Sequence, residues 1–171
     1  MSHKFNNFFK LIRFIKIYGF KRSLVKVLGR IRPYFKLWLI LRFPFYSNKG
    51  KTVGLVGCGH HAYSSIAYFL TSFTKANISF VLDIDPKASS SLAYAYNSTS
   101  VKPDFILAEQ NIALPDIVYI SSNHSTHSEY AIKFLELGCN VFIEKPLSTN
   151  KEQLKMLSAA VQNTGKDVFV G

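Results

Sequence analysis

Three observations predict a doubly wound α/β domain with a parallel sheet, preceded by a basic helical extension. An apolar run at residues 52–56 meets a glycine-rich turn, GCGHHA, and a segment of helical spacing follows at once. Short apolar runs then alternate with helix-period segments as far as residue 170. Strands that are apolar throughout are typical of a parallel sheet with helices on both faces. The third observation is a break in composition near residue 50.

Charge divides the chain at that break. Residues 1–51 contain 13 Lys or Arg and no Asp or Glu, whereas residues 52–171 contain 8 basic and 10 acidic side chains. The net charge of +11 therefore belongs to the leader and not to the rest of the chain. We predict a basic amphipathic helical extension at residues 1–50 and one α/β domain at residues 51–171.

Composition argues against several classes of protein. An apolar fraction of 48% with 18% charged residues is not typical of a disordered chain. Two cysteines form no disulfide framework, which favours a reducing, cytoplasmic compartment, and no three histidines have the spacing of a metal site. Basic residues interrupt every apolar segment before Gly50, so no run reaches the ~20 residues that span a bilayer.

The extension has three interpretations. Helical spacing gives it an apolar and a basic face, with Gly19 and Gly29 expected to interrupt the helix. The apolar face packs on the rest of the protein, or residues 1–49 lie on an anionic membrane at its inner face, or they contact nucleic acid. No motif that reads bases is present, so we expect no specific nucleic acid partner. The apolar residues are Phe8, Leu11, Ile12, Phe14 and Ile15, and the basic ones are Lys10, Arg13 and Lys16.

The glycine turn predicts a dinucleotide site. Gly57 permits a sharp turn after the strand, and Gly59 lets a pyrophosphate approach the backbone. The helix that begins near Ala62 offers unpaired N–H groups to the phosphates. Asp83 ends the second strand about 20 residues beyond the turn, where a carboxylate accepts a hydrogen bond from a ribose 2′-hydroxyl and repels a 2′-phosphate. The pattern therefore favours NAD over NADP.

Two side chains are expected to cap helices. Asp85 directly precedes Pro86, and this order is typical of an N-cap followed by proline at the first helical position. Thr149 and Glu152 have the spacing of a capping box for a helix from about residue 150 to 163.

Polar residues also follow the later strands. The apolar run at residues 117–120 leads into a polar turn at residues 121–127. The run at residues 141–143 leads into Glu144 and Lys145. Ligands of doubly wound sheets bind outside the carboxyl ends of the strands, so both segments are candidates for the site.

Four blocks resemble the N-terminal domain of the glucose–fructose oxidoreductase/inositol dehydrogenase/MocA family: LVGCGHHA, VLDIDP, YISSNHSTHSEYAIKFLELG and NVFIEKPLSTN. The resemblance implies a Rossmann domain of an NAD-dependent oxidoreductase that acts on a sugar, polyol or sugar derivative. It further implies that Gly57, Gly59 and the backbone of His60 and His61 face the pyrophosphate, and that Asp83 binds the adenosine ribose. The cofactor expected is NAD, with NADP less favoured.

The resemblance also assigns the later polar residues. Ser122 and Asn123 are expected to line the cofactor where the family commonly has Thr-Pro, and His127 matches a family histidine in that turn. Glu144 and Lys145 are expected near the nicotinamide and substrate, with a cis peptide bond after Lys145. An ammonium group held there can polarise a carbonyl or alkoxide, so Lys145 is the candidate catalytic residue. No metal is expected.

Family members continue into a second domain that supplies the substrate pocket. We therefore expect this chain to be the cofactor-binding part of an oxidoreductase and to be inactive alone. The alternative is a non-catalytic NAD-binding or interaction module, complete at 171 residues. Sequence alone leaves a homo-oligomer open as well.

Overall fold

A computed structural model describes residues 2–32, 36, 51–103 and 113–171. The strands are β1 (Thr52–Val56), β2 (Asn77–Leu82), β3 (Thr99–Val101), β4 (Ile117–Ile120), β5 (Asn140–Ile143) and β6 (Val168–Val170). They form one sheet in the order β3-β2-β1-β4-β5-β6, and every pairing is parallel. The predicted doubly wound parallel sheet is confirmed, whereas the predicted break near residue 50 lies outside the described residues.

Six helices accompany the sheet in the described part of the chain. A π-helical turn (Ala62–Ile66) continues directly into an α-helical segment (Ala67–Ser72), and together they are called α3. A 3₁₀ turn (His124–Thr126) precedes the fifth helix. The other helices are α1 (Ser2–Tyr18), α2 (Phe20–Ile31), α4 (Pro86–Tyr96), α5 (His127–Glu136) and α6 (Lys151–Thr164). Within the predicted extension at residues 1–50, the described residues form the helices α1 and α2.

The hydrophobic core lies on the two faces of the sheet. On one face, Leu55 of β1 packs with residues of α3 and with Leu92 of α4. On the other face, Val118 of β4 packs with Phe134 of α5 and Leu157 of α6. Helices on both faces leave no residue of β1, β2, β4 or β5 exposed, whereas the edge strands β3 and β6 each have two exposed residues.

The strand order reverses at β1. This strand pairs with β2 on one side and with β4 on the other, so the connections leave it in opposite directions. A crevice forms outside the carboxyl ends of strands at such a switch point, and ligands of doubly wound sheets bind there. The fold therefore places the glycine turn after β1 beside the polar turn after β4.

One predicted helix cap is confirmed. The Asp85 side chain accepts a hydrogen bond from the backbone N–H of Lys87 at 2.9 Å, and Pro86 follows as the first residue of α4. The carboxylate satisfies a donor that has no partner within the helix.

The prediction of a capping box between Thr149 and Glu152 is wrong by one residue. The N-cap of α6 is Asn150, whose side chain accepts from the N–H of Gln153 at 2.8 Å. The Gln153 amide oxygen in turn accepts from the N–H and hydroxyl of Thr149, at 2.9 and 2.8 Å. Asparagine and glutamine three residues apart satisfy the same pattern as threonine and glutamate, and sequence spacing alone does not separate the two registers.

Helix α2 of the extension packs on α3. Val25 is 1% exposed and joins the core cluster of that face. A Cβ added to Gly29 would lie 3.0 Å from Cβ of Ser64 and 3.1 Å from Cδ1 of Tyr63. The expectation that Gly29 interrupts the helix is wrong, because α2 continues past it to Ile31 and the missing side chain lets the two helices approach.

Arg22 fixes the other end of this contact. Its guanidinium donates to the Ser64 carbonyl oxygen and, at 3.0 Å, to the Ser65 hydroxyl. It also lies 5.1 Å from the ring centroid of Tyr68 and 4.8 Å from that of Phe69. The Ser64 carbonyl belongs to the π-helical turn, where the regular α-helical ladder is interrupted, so Arg22 supplies a donor at an irregular point of the backbone. For α2, the interpretation that the extension packs on the protein is therefore supported.

Helix α1 contacts α2 and exposes much of its apolar surface. Gly19 separates the two helices with φ +84°, as expected for an interruption. The Lys26 ammonium lies 4.4 Å from the Phe14 ring centroid. In the described part of the chain, no helix is both long and apolar enough to cross a bilayer. The exposed apolar residues of the two helices include Phe9, Ile12, Ile17, Tyr18, Phe20, Val27 and Ile31.

We predict that Val25→Ala destabilises the α/β domain and that Val27→Ala does not. Both changes remove two methyl groups from α2, but Val25 is 1% exposed and Val27 is 38% exposed. Truncation of the buried side chain should lower the free energy of unfolding by about 1–3 kcal/mol, whereas the exposed one should change it by about 0.5 kcal/mol or less. Urea unfolding followed by circular dichroism measures both. Equal effects of the two variants would mean that α2 does not pack on the domain.

Candidate functional site

The glycine turn crosses the carboxyl end of β1. Gly57 has φ +88°, and a Cβ added there would lie 2.5 Å from the Ser121 carbonyl group and from the Ser122 nitrogen. Only glycine fits this close approach of two backbones. Gly59 differs, because no described heavy atom lies within 4 Å of its added Cβ. The open space at Gly59 fits a phosphate that approaches the main chain.

Asp83 holds the glycine turn as well as facing the crevice. One carboxylate oxygen accepts from the Cys58 N–H at 2.5 Å, and the other accepts from the Asp85 N–H at 2.9 Å. The side chain is half-buried. Burial, followed by the Asp83 carboxylate, raises the pKa of the buried Cys58 thiol, so the group stays protonated at neutral pH.

A cleft of about 240 Å³ opens at the switch point between β1 and β4. The glycine turn and the end of β2 form one wall, and the turn after β4 with the start of α5 forms the other. The residues that line the cleft include Gly57, Gly59, Asp83, Ile84, Ser122, Asn123, Thr126 and Tyr130. Five of the predicted cofactor residues therefore line one cleft: Gly57, Gly59, Asp83, Ser122 and Asn123.

Ser122 and Asn123 shape the second wall through local hydrogen bonds. The hydroxyls of Ser122 and Thr126 lie 2.9 Å apart. The Asn123 side chain accepts from the N–H of Ser125 at 3.4 Å and begins the 3₁₀ turn before α5. These contacts order the turn without filling the cleft.

His60 and His61 directly precede α3, with exposed side chains, and His61 is its N-cap. The ring of His61 comes within 3.6 Å of the Glu144 carboxylate, measured from Nε2 to Oε1. Glu144 also makes a hydrogen bond with the Tyr119 hydroxyl; burial and then this carboxylate raise the pKa of Tyr119 to about 12. The Tyr119 ring stacks on Phe142 with centroids 4.1 Å apart. Glu144 therefore connects the start of α3 to the ends of β4 and β5.

His127 lies beneath the cleft and does not line it. The residue is 1% exposed, and its two ring nitrogens lie 2.8 Å from the Pro146 carbonyl oxygen and 3.0 Å from the Ser122 carbonyl oxygen. The hydroxyl of Ser128 donates to the Leu147 carbonyl at 3.0 Å. The start of α5 thus ties the turn after β4 to the loop after β5.

Lys145 follows β5 and is exposed. The peptide bond between Lys145 and Pro146 is cis, as the resemblance implied. Because the carboxyl ends of β4 and β5 are adjacent, Lys145 lies at the same edge of the sheet as Asn123.

Sequence reasoning missed three contributors to this edge. Thr126 lies four residues after Ser122 in a short helical turn, a spacing that could have indicated their contact. Tyr130 packs against the core and also lines the cleft. Arg32 donates to the Cys58 carbonyl from a position 26 residues upstream, and no local signal predicts such a contact.

The residues of the cleft fit a dinucleotide. Gly59 leaves room for phosphate, the first turn of α3 points N–H groups toward it, and Asp83 supplies an acceptor at the end of β2. Among the described residues, no group of three or more His, Cys, Asp or Glu side chains is arranged to hold a metal ion.

The fold and the cleft define a Rossmann-type nucleotide-binding domain. A family model described as an oxidoreductase family with an NAD-binding Rossmann fold matches residues 51–171. The chain belongs to this family, known as GFO/IDH/MocA, and the resemblance found in the four sequence blocks is confirmed.

Similar proteins are dehydrogenases and reductases of greater length. Inositol 2-dehydrogenase 2 of Saccharopolyspora erythraea is 30% identical over 121 residues, which cover 70% of this chain and 35% of that protein. The WlbA dehydrogenase of Bordetella pertussis, solved with NADH and UDP-GlcNAcA, is 25% identical with a TM-score of 0.63, covering 75% of this chain and 36% of that one.

A third similar structure supports the fold alone. KijD10, a 3-ketoreductase from Actinomadura kijaniata solved with NADP and TDP-benzene, is 21% identical with a TM-score of 0.63 and covers 72% of this chain and 37% of that one. The chain spans about a third of the length of the inositol dehydrogenases it matches. NADH and NADP both occur among the similar structures, so they do not decide between the two cofactors.

Proposed function

We propose that this chain is the cofactor-binding part of an oxidoreductase that acts on a sugar, polyol or sugar derivative. The observation that carries the proposal is the open space beside Gly59 at the strand switch point, flanked by Asp83 and by the first turn of α3. A nicotinamide cofactor bound there supplies hydride chemistry. The names of the similar proteins, an inositol dehydrogenase and a nucleotide-sugar-bound dehydrogenase, support the substrate class.

In this proposal the chain binds and orients, and one side chain takes part in proton transfer. The glycine turn and the N–H groups of α3 hold the pyrophosphate, while Ser122 and Asn123 line the cofactor. Lys145, exposed at the edge of the sheet beyond β5, is the catalytic candidate that polarises a substrate oxygen or moves its proton. Glu144 and His127 act through the positions of the loops that they join.

We predict that Gly59→Ala weakens NADH binding without destabilising the protein. The added methyl group meets no described atom, and Gly59 does not have a positive φ, so the fold should accept alanine. A phosphate in contact with the backbone would clash with that methyl group. The affinity for NADH should therefore fall about tenfold or more, and a tenfold loss corresponds to about 1.4 kcal/mol of binding free energy. Fluorescence titration with NADH measures the affinity, and thermal unfolding is the control. Unchanged affinity in a stable variant would refute a pyrophosphate at Gly59.

We further propose that the site prefers NAD to NADP because of Asp83. Its carboxylate ends β2 at the cleft and is half-buried, so a 2′-phosphate beside it would meet an unscreened like charge. A ribose 2′-hydroxyl would instead donate a hydrogen bond to it.

Asp83→Asn tests this preference: its amide oxygen keeps an acceptor for the Cys58 N–H, while the amide nitrogen replaces the oxygen that accepts from the Asp85 N–H. We expect weaker NADH binding, by about 1.5–3 kcal/mol for the lost charged acceptor, and a smaller ratio of NADH to NADPH affinity. Asp85→Asn is the matched control, since it removes the same charge and asparagine caps a helix as well as aspartate does. Calorimetric titration with both cofactors gives the ratio. Equal affinity of the wild type for NADH and NADPH would contradict the assignment.

We also propose that α1 and the outer face of α2 bind an anionic lipid surface. Ile17, Phe20 and Ile31 are 61%, 68% and 68% exposed, in a segment that carries no acidic residue. Ile17→Ser with Phe20→Ser should therefore lower binding to phosphatidylserine vesicles about tenfold or more, because each buried side chain is worth about 1.5–3 kcal/mol.

Met156→Ser is the control for the vesicle experiment, since Met156 is 55% exposed on α6, away from the extension. Sedimentation with neutral and anionic vesicles measures the binding. If the wild type does not bind anionic vesicles, or if the double variant binds them as the wild type does, this face of α1 and α2 is not a lipid-binding surface.

A further inference from the structure

Arg32 connects the extension to the glycine turn. The residue caps α2 in the left-handed conformation, with φ 46° and ψ 48°. Its Nη2 donates to the Cys58 carbonyl oxygen, and its Nη1 lies 3.2 Å from the Ala88 carbonyl oxygen and 3.3 Å from the Ser91 hydroxyl. One guanidinium therefore joins three elements: the end of α2, the turn after β1 and the first half of α4.

The two peptide groups of Cys58 are held from opposite sides. Asp83 accepts the Cys58 N–H at 2.5 Å, and Arg32 donates to the Cys58 carbonyl oxygen. Both contacts involve a charged side chain, and such hydrogen bonds are roughly twice as strong as neutral ones. The peptide planes on either side of Cys58 cannot rotate without losing one of them. These are the planes that set the direction of the backbone between Gly57 and Gly59.

Arg32 also forms a wall of a second cavity that adjoins the cofactor cleft. This cavity has a volume of about 600 Å³ and shares Gly59 and Asp83 with the cleft. Lys87 and Asp85 lie on the same cavity. The extension therefore borders the end of the site where Asp83 is placed.

We propose that Arg32 is a positioning residue of the cofactor site and that the docked extension and the bound dinucleotide stabilise each other. The inference rests on the proposed function, because it concerns the same glycine turn. Arg32 acts through the Cys58 carbonyl, to which its Nη2 donates, while its Nη1 is held by the Ala88 carbonyl and the Ser91 hydroxyl of α4. By thermodynamic linkage, if docking of α2 raises the affinity for the cofactor, the cofactor raises the stability of the docked α2 by the same factor.

Three full-length variants separate this role from the effect of charge. Arg32→Ala removes the guanidinium group. Arg32→Lys keeps the charge but cannot reach acceptors in two elements at once. Arg30→Ala removes the same charge from an exposed position of α2. We expect Arg32→Ala and Arg32→Lys to bind NADH about tenfold more weakly than the wild type, which corresponds to about 1.4 kcal/mol. Arg30→Ala should bind as the wild type does.

Hydrogen exchange gives a readout that a purely structural role would not change. Saturating NADH should slow amide exchange in Phe20–Ile31 in the wild type and in Arg30→Ala, but not in Arg32→Ala. Full affinity in Arg32→Lys would show that charge alone matters and would overturn the positioning role. If the wild type binds NADH and Arg32→Ala binds it with the same affinity, the inference is overturned and the proposed function is left intact. A wild type that binds no NADH would instead refute the proposed function, and this inference with it.

Discussion

The close approach of Gly57 to the backbone of Ser121 and Ser122 is the constraint on which the site depends. An added Cβ would lie 2.5 Å from atoms of both residues, so the ends of β1 and β4 come this near only because position 57 has no side chain. The Gly57 N–H donates to the Leu82 carbonyl at 2.8 Å, and the Ser121 N–H donates to the Val56 carbonyl at 2.8 Å. Three strand ends are thereby fixed together, and the cleft lies between their polar turns.

The loops around this junction divide into fixed and open parts. His127 is buried and contacts the carbonyl groups of Ser122 and Pro146, so one side chain links the turn after β4 to the loop after β5. Lys145 stays exposed on that loop. In the proposed function Lys145 meets a substrate, which requires solvent access for the side chain and a rigid support for its backbone, and the contacts of the buried histidine supply such a support.

Sequence reasoning worked where neighbours along the chain decide the outcome. Asp85 before Pro86 caps α4 because the acceptor and its donor are two residues apart. Parallel strands followed from apolar runs, and the cleft opens among polar residues that follow them. Sequence reasoning failed for Gly29, because its role depends on contact with α3, which lies more than thirty residues further along the chain. It also failed for Arg32, because the acceptors of its guanidinium lie in two other elements. Thr149 and Asn150 are neighbours in the sequence, and both are residue types that cap helices. Asn150, whose backbone is extended, is the one that caps α6.

The conformation of Arg32 bears on whether the extension belongs to the domain. A non-glycine residue in the left-handed region costs about 1–3 kcal/mol and persists only where the surroundings over-determine it. Here the surroundings are the Cys58 carbonyl, the Ser91 hydroxyl and the ring of Tyr63, 5.4 Å from the guanidinium. Arg30 of α2 and several described apolar residues of α1, among them Phe9 and Ile17, are exposed. If the proposed lipid surface binds those residues, it would act on the docking of α2 and, through the proposed role of Arg32, on the geometry of the glycine turn.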